Sequence, residues 1–276
     1  MESVPSGQSP RFPHRCRHGI AAAPSCWRRG SQTVQVPLFD LNPDLPRAEL
    51  AARFARDGRL HVRNVLTEGT ARMIHQILAR QTPWGLAWTA AGDGPHSIRS
   101  DQLKVLPASG REAMGAKISA AMRSRDYAFV FAQYPMLDAY LQKWAAGSPQ
   151  DLLLEHINDE PFLSFVRDVT GVTELIKADA QATLYAPTHF LSLHDDSDVV
   201  EGRRIAYVLN FCAEDWRPDW GGYLNFFDEE GDIVAGFKPR FNALNLFRVP
   251  QRHHVSYVPP FAPAARFAIT GWFRDR

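Results

Sequence analysis

The spacing of apolar residues changes after Gly171, and that change limits the fold more than any other feature of the chain. Just before it, Phe162, Phe165, Val166 and Val169 recur three or four residues apart, as they do on one face of a helix. Asp159 and Pro161 open this helix and Gly171 ends it, following the usual chemistry of helix starts and stops. From Glu174 onward the apolar residues fall into short runs instead: 174–185, 190–196, 203–211, 223–227, 233–237, 243–249, 253–258 and 265–273. Turn signals separate them, at Ala186-Pro187, Gly221-Gly222, Glu230-Gly231-Asp232, Pro239 and Pro259-Pro260. A helical half followed by many short strands predicts an α+β chain. The expected architecture of its C-terminal part is a jelly roll (double-stranded β-helix) or a barrel, with the helical N-terminal half packed on it. The sequence carries no internal repeat.

Within the first half, 36–46 reads as an extended lead-in, and 47–57 as a helix with Gly58 at its C-terminal end. Residues 59–66 alternate as a strand, and Thr67 suits the cap of a helix bearing Ile74, Ile77 and Leu78 on one face. The stretch 84–98, with two Trp, three Gly and Pro95, reads as a shaped loop. Residues 111–146 read as one or two helices interrupted around Pro135, with Tyr127, Phe129, Phe131 and Tyr134 expected to pack in the core.

Length and composition set the remaining bounds. At 276 residues and 45% apolar, the chain suits one large domain with a full core. Its net charge of +1 gives no reason to expect direct nucleic-acid binding, and no apolar run has transmembrane length. Cys16, Cys26 and Cys212 are few and scattered, which argues against a disulfide framework and for a cytoplasmic protein. Residues 1–33 stand apart: rich in Pro, Ser and Arg, with no acidic residue between Glu2 and Asp40. Transit peptides have such a composition, but a disordered or non-native extension is the preferred reading. Cys16 and Cys26, with His14 and His18, lack a close-spaced pair, so no zinc site is expected there. The expected organisation is the extension 1–33, a helical region 34–171 supporting the core, and a jelly-roll catalytic core 172–276, with 34–276 forming one structural domain.

The chemistry gathers in the second half. On a strand, residues two apart share a face, so His194 and Asp196 would present an imidazole and a carboxylate together, with Asp195 turned away. A lone His-x-Asp is a weak signal. His253-His254 at the start of a later strand offers a second imidazole, from one residue or the other. Two histidines and one carboxylate with open positions are the ligand set of non-haem Fe(II) oxygenases. Arg266, on the next strand, is suited to grip the far carboxylate of a bidentate co-substrate, and Tyr185 can add a hydrogen bond. His61, His75, His96, His156 and His189 lack such company and read as surface or packed residues.

These blocks also carry a family resemblance. HDD at 194–196, GRRIAYVLN, GGYLNFF, PRFNALNLF, HHVSYV and RFAITGWF come in order over 172–276. In that order and spacing they resemble the prolyl-4-hydroxylase-like 2-oxoglutarate/Fe(II) oxygenases. RFAITGW looks like the same strand of the hypoxia-factor prolyl hydroxylases. HDD with a nearby GRR looks more like the branch that hydroxylates a ribosomal-protein proline, which has bacterial single-domain relatives. The resemblance implies His194, Asp196 and His253 as iron ligands, because the family shows His, one residue, then Val, as in His253-His254-Val255. It implies Arg266 on the 2-oxoglutarate C5 carboxylate and Tyr185 nearby. One departure stands out. Relatives often place a tyrosine assisting the arginine at the position of Val208 or Asn210, and the Arg-x-Ser alternative meets Ala268 here.

The implied activity is a dioxygenase that uses Fe(II), 2-oxoglutarate and O2, with L-ascorbate as reductant, and releases succinate and CO2. Its substrate would be a prolyl residue in a protein. The alternatives are a hydroxylase of a free amino acid or other small molecule, and a catalytically silent metal-binding jelly-roll module. The loops 84–98 and 212–220 are expected to form the substrate mouth, with Trp272 either walling the substrate side or packed in the core.

Overall fold

The computed structural model describes residues 38–90, 93–124, 126–197, 202–213 and 215–276. The extension 1–33, with its two cysteines, lies outside them. The described helices are α1 (Arg47–Asp57), α2 (Glu68–Arg80), α3 (Ser100–Val105), α4 (Ala108–Arg123), α5 (Met136–Leu141), α6 (Pro149–Ile157) and α7 (Glu160–Thr170). None is long and apolar enough to cross a membrane. Left-handed glycines stop two of them. Gly58 ends α1 at φ 64 and Gly171 ends α7 at φ 68, a conformation that other residues adopt at a cost.

The strands of the first half are β1 (Arg59–Arg63), β2 (Gly85–Ala90), β3 (Asp93–Ile98) and β4 (Phe129–Tyr134). Those of the second are β5 (Lys177–Ala178), β6 (Gln181–Tyr185), β7 (Phe190–His194), β8 (Arg203–Phe211), β9 (Leu224–Phe227), β10 (Ile233–Phe237), β11 (Phe241–Arg248), β12 (His253–Val255) and β13 (Arg266–Arg274). They form one antiparallel sheet in the order β1-β11-β8-β13-β6-β4-β7-β12-β9-β10, with β2 and β3 added beside β4 and β5 beside β13. This is the expected α+β jelly roll. The first half packs helices on it and also lends it four strands.

β8 shows how the sheet is layered. Ile205, Tyr207 and Leu209 join the core shared with the helices, alongside Leu50, Phe54, Phe162, Phe165 and Val166. Ala206 and Val208 face the other way, into a cluster with Leu224, Phe226, Phe247 and Ala268. A strand covered on both faces reads as an unbroken apolar run, as IAYVLNF does. On β13, Ile269 and Phe273 take the helix side. The period of two then turns Arg266, Ala268, Thr270 and Trp272 inward.

Two expectations for the first half fail. The stretch 84–98 is a hairpin of β2 and β3, not a loop. Burial alternates along β2, with Ala87 and Thr89 buried, while β3 is an outer strand on which Gly94 and Pro95 are tolerated. The aromatic run at 129–134, placed within a broken helical stretch, is β4, paired with β2, β6 and β7. Aromatic and β-branched residues favour that pleated environment.

Candidate active site

The antiparallel pairing of β7 and β12 sets His194 directly opposite His253, with ring centroids 4.1 Å apart. Each ring is tethered through Nδ1 to the carbonyl two residues before it. The contacts are 2.9 Å to Ser192 O and 2.7 Å to Gln251 O. A carbonyl only accepts, so both Nδ1 atoms carry the proton and both Nε2 lone pairs face the centre. Burial first, then the neighbouring His194, push the His253 pKa down to about 4, which keeps that ring neutral and able to donate its lone pair.

Asp196 reaches the pair by a different route from the one its spacing suggests. β7 ends at His194, and Asp196 lies beyond it at φ 57, a left-handed conformation that aspartate visits more readily than most residues. The turn brings Oδ1 within 3.6 Å of His194 Nε2 and Oδ2 within 3.6 Å of His253 Nε2. One ligand atom from each of the three lies within 4.8 Å of the others. Asp195 turns away and accepts the Ser197 N–H. His254 also turns away, placing Nε2 3.0 Å from Asn225 Nδ2.

Arg266 faces Tyr185 across β13 and β6 and is 1% exposed. Its Nε and Nη2 donate to Asn210 Oδ1 at 3.3 and 3.2 Å, and its Cζ lies 5.2 Å from the Tyr185 ring centroid. Among the described residues the buried Nη1 has no hydrogen-bond partner, which costs free energy unless an acceptor arrives. Burial lowers the Arg266 pKa, although an arginine remains charged. The Tyr185 phenol is pushed up, chiefly by burial, so it stays protonated and able to donate. His194, Asp196, His253, Arg266 and Tyr185 line one cavity of about 590 Å³. Two imidazole nitrogens and a carboxylate suit a borderline divalent metal such as Fe(II), and the orphaned guanidinium nitrogen suits a carboxylate. The donor set fits an iron ion with a dicarboxylate.

Several residues named in the sequence for other reasons make contacts at the site that the sequence did not indicate. Trp272 Nε1 donates to Asp196 Oδ2 at 3.1 Å; its even spacing from Arg266 along β13 was the available signal. Asn210, one of the two positions at which the sequence departs from the resemblance, is the residue that meets Arg266. Tyr127 sets its ring 5.8 Å from that of His194, and with Phe129 and Phe131 it walls the cavity. His96, read as a surface or packed residue, also lines it. The hairpin β2–β3 contributes Ala87, Thr89 and Ser97 to the wall. None of the described residues of 212–220 lines this cavity; Cys212, Trp216 and Trp220 are buried in a cluster with Tyr185 and Val258.

Residues 180–274 match the family model described as the 2OG-Fe(II) oxygenase superfamily. No curated protein sequence matches the chain. Among solved structures, a Pseudomonas putida prolyl-4-hydroxylase is 18% identical with a TM-score of 0.51, covering 83% of this chain and 98% of its own. A prolyl hydroxylase from Trichoplax adhaerens, in complex with a peptide fragment of the hypoxia inducible factor oxygen degradation domain, is 17% identical with a TM-score of 0.53, covering 83% and 89%. The non-heme alpha ketoglutarate dependent epimerase SnoN from nogalamycin biosynthesis is 12% identical with a TM-score of 0.51, covering 83% and 80%. At these identities the likeness is one of fold, and that fold is shared by enzymes of different reactions. The family match thus covers residues 180–274, the strand-rich part that carries His194, Asp196, His253 and Arg266, on a fold shared with these solved structures.

Proposed function

We propose that the protein is an Fe(II)- and 2-oxoglutarate-dependent dioxygenase that hydroxylates a C–H bond, with a prolyl residue of a polypeptide as its substrate. The observation that carries this reading is Arg266, a fully buried guanidinium whose terminal Nη1 has no partner among the described residues. It opens on the same cavity as His194, Asp196 and His253. In this reading those three hold the iron, and Arg266 takes the far carboxylate of 2-oxoglutarate. Asn210 keeps the guanidinium aimed, and the Tyr185 hydroxyl adds a donor beside it. When bound, iron with 2-oxoglutarate and O2 supplies the oxidation that puts oxygen on the substrate carbon and leaves succinate and CO2. The protein's own part is orientation and exclusion of water, for which the walls of Tyr127, Phe129 and Phe131 are suited.

Support for a prolyl substrate comes from the two prolyl hydroxylases among the structural neighbours, one of them with a peptide bound. The HDD and GRR motifs make a ribosomal-protein proline the first substrate to assay, and a cytoplasmic location goes with it. Residues 34–276 would act as one domain, with 172–276 its catalytic core.

The test starts without oxygen. Fe(II) and then 2-oxoglutarate are added to the purified protein, and the visible absorption of an iron-chelated keto acid is followed. His194→Ala should lose iron. Arg266→Met should keep iron and lose about 2–5 kcal/mol of 2-oxoglutarate binding, as expected when one partner of a buried charge pair is removed. Oxygen, ascorbate and proline-containing ribosomal-protein peptides then follow, with succinate and peptide mass as readouts. Wild-type protein that binds no iron would sink the proposal.

A further inference from the structure

Of the three groups facing the centre, Asp196 has the least support from the strand that carries it. His194 and His253 are each anchored to a carbonyl two residues back. Asp196 stands past the end of β7, and among the described residues its carboxylate takes one hydrogen bond, from Trp272 Nε1 to Oδ2. Trp272 is itself held firmly. Its backbone N–H donates to Asp179 Oδ1 at 2.8 Å, and Asp179 Oδ2 in turn accepts from Arg274 Nε at 3.0 Å. The Arg203 guanidinium lies 4.1 Å over the indole ring. A Cβ on the preceding residue, Gly271, would stand 2.2 Å from Asp179 O, so glycine there permits this close approach.

We infer that Trp272 is a positioning residue of the metal centre: its indole N–H engages Asp196 Oδ2 and so aims the carboxylate, leaving Oδ1 as the ligating oxygen. The inference rests on the iron reading given above. It assigns to this side chain a role distinct from walling the cavity. Removing a hydrogen bond of this kind, one step behind a ligand, weakens metal binding by about 10–100-fold.

Anaerobic Fe(II) titration of the full chain against a coloured chelator, with no co-substrate or substrate present, reads the affinity directly. Trp272→Phe should raise the Fe(II) dissociation constant about tenfold or more, with the melting temperature of the metal-free protein little changed. A role in packing alone would do the reverse, and an unchanged iron affinity overturns the inference. If Phe also lowers the metal-free melting temperature, Trp272→3-benzothienylalanine keeps the ring's shape and removes the N–H. Iron affinity in that variant then decides: weakened supports the inference, unchanged overturns it. Failure of the wild-type chain to bind Fe(II) would instead remove the proposed function and this inference with it.

Discussion

Asn210 and Arg266 meet inside the sheet through a shared acceptor: Asn210 Oδ1 takes both Nε and Nη2 of the guanidinium, at 3.3 and 3.2 Å. The amide's own Nδ2 donates back to Val208 O and Ala243 O, both at 3.2 Å, so its orientation is set. A short side chain of fixed orientation thus holds the guanidinium in place. Asn210→Ala removes the acceptor and leaves a buried cation with fewer partners, which costs about 1–3 kcal/mol or more. Urea unfolding should show that loss, and 2-oxoglutarate should bind more weakly. An unchanged urea midpoint would mean the contact carries no weight.

The two adjacent histidines separate cleanly. His253 is buried and faces His194 and Asp196, whereas His254 places its Nε2 against Asn225 and its ring against Phe227. His253→Ala should therefore abolish stoichiometric Fe(II) binding. His254→Ala should retain it and lose only some packing. Iron counted per chain after desalting distinguishes the two, and the opposite pattern would reverse the assignment.

What could be read ahead of the structure was local. The helix stops at Gly58 and Gly171 depend on glycine's own backbone freedom. β8 and β10 announce themselves by short β-rich runs between turns, and both begin and end where those runs do. The hairpin β2–β3 and strand β4 were hidden because their strand identity depends on partners far along the chain: β4 pairs with β6 and β7. The site divides the same way. His194, Asp196, His253 and Arg266 are conspicuous as residue types in a familiar order. The contacts that support them join residues 56 and 76 positions apart, Asn210 with Arg266 and Asp196 with Trp272. Asp196 arrives through a left-handed turn, although the period-two argument placed it on a strand.

Cys212 tests the dryness of the core behind Arg266. Its side chain is buried, and burial pushes the thiol up to about 12 against a smaller opposing pull from Arg266. An acid with a raised pKa stays protonated until pH approaches that value, and the thiolate is the reactive form. At pH 8 the native protein should leave Cys212 unlabelled by iodoacetamide, and denaturant should expose it. Peptide mapping by mass spectrometry checks this at the Cys212 peptide; rapid native labelling there would mean that water reaches the cluster of Trp216, Trp220 and Tyr185.

Gly221 has a stronger requirement for glycine than its neighbours in the chain, and its failure should propagate to the site. It follows the 3-10 turn at Pro218–Trp220 with φ 64 and ψ −146, a region that side chains other than glycine's avoid at a cost of about 1–3 kcal/mol. A Cβ there would also stand 2.0 Å from the Tyr257 carbonyl oxygen, which is backbone and cannot swing aside. Trp216 Nε1 donates to Gly221 O at 3.1 Å, and the strand that follows, β9, pairs with β12 and so with His253. Gly221→Ala should therefore lower stability by more than the backbone strain alone, about 3 kcal/mol or above, and weaken Fe(II) binding as β12 shifts. Gly231 is the matching control: its φ is 93, yet no atom of the described residues lies within 4 Å of an added Cβ. Gly231→Ala should cost about 1–2 kcal/mol, the left-handed penalty by itself, and leave iron affinity unchanged. Equal losses in the two variants would show that the approach to Tyr257 does not constrain the strand.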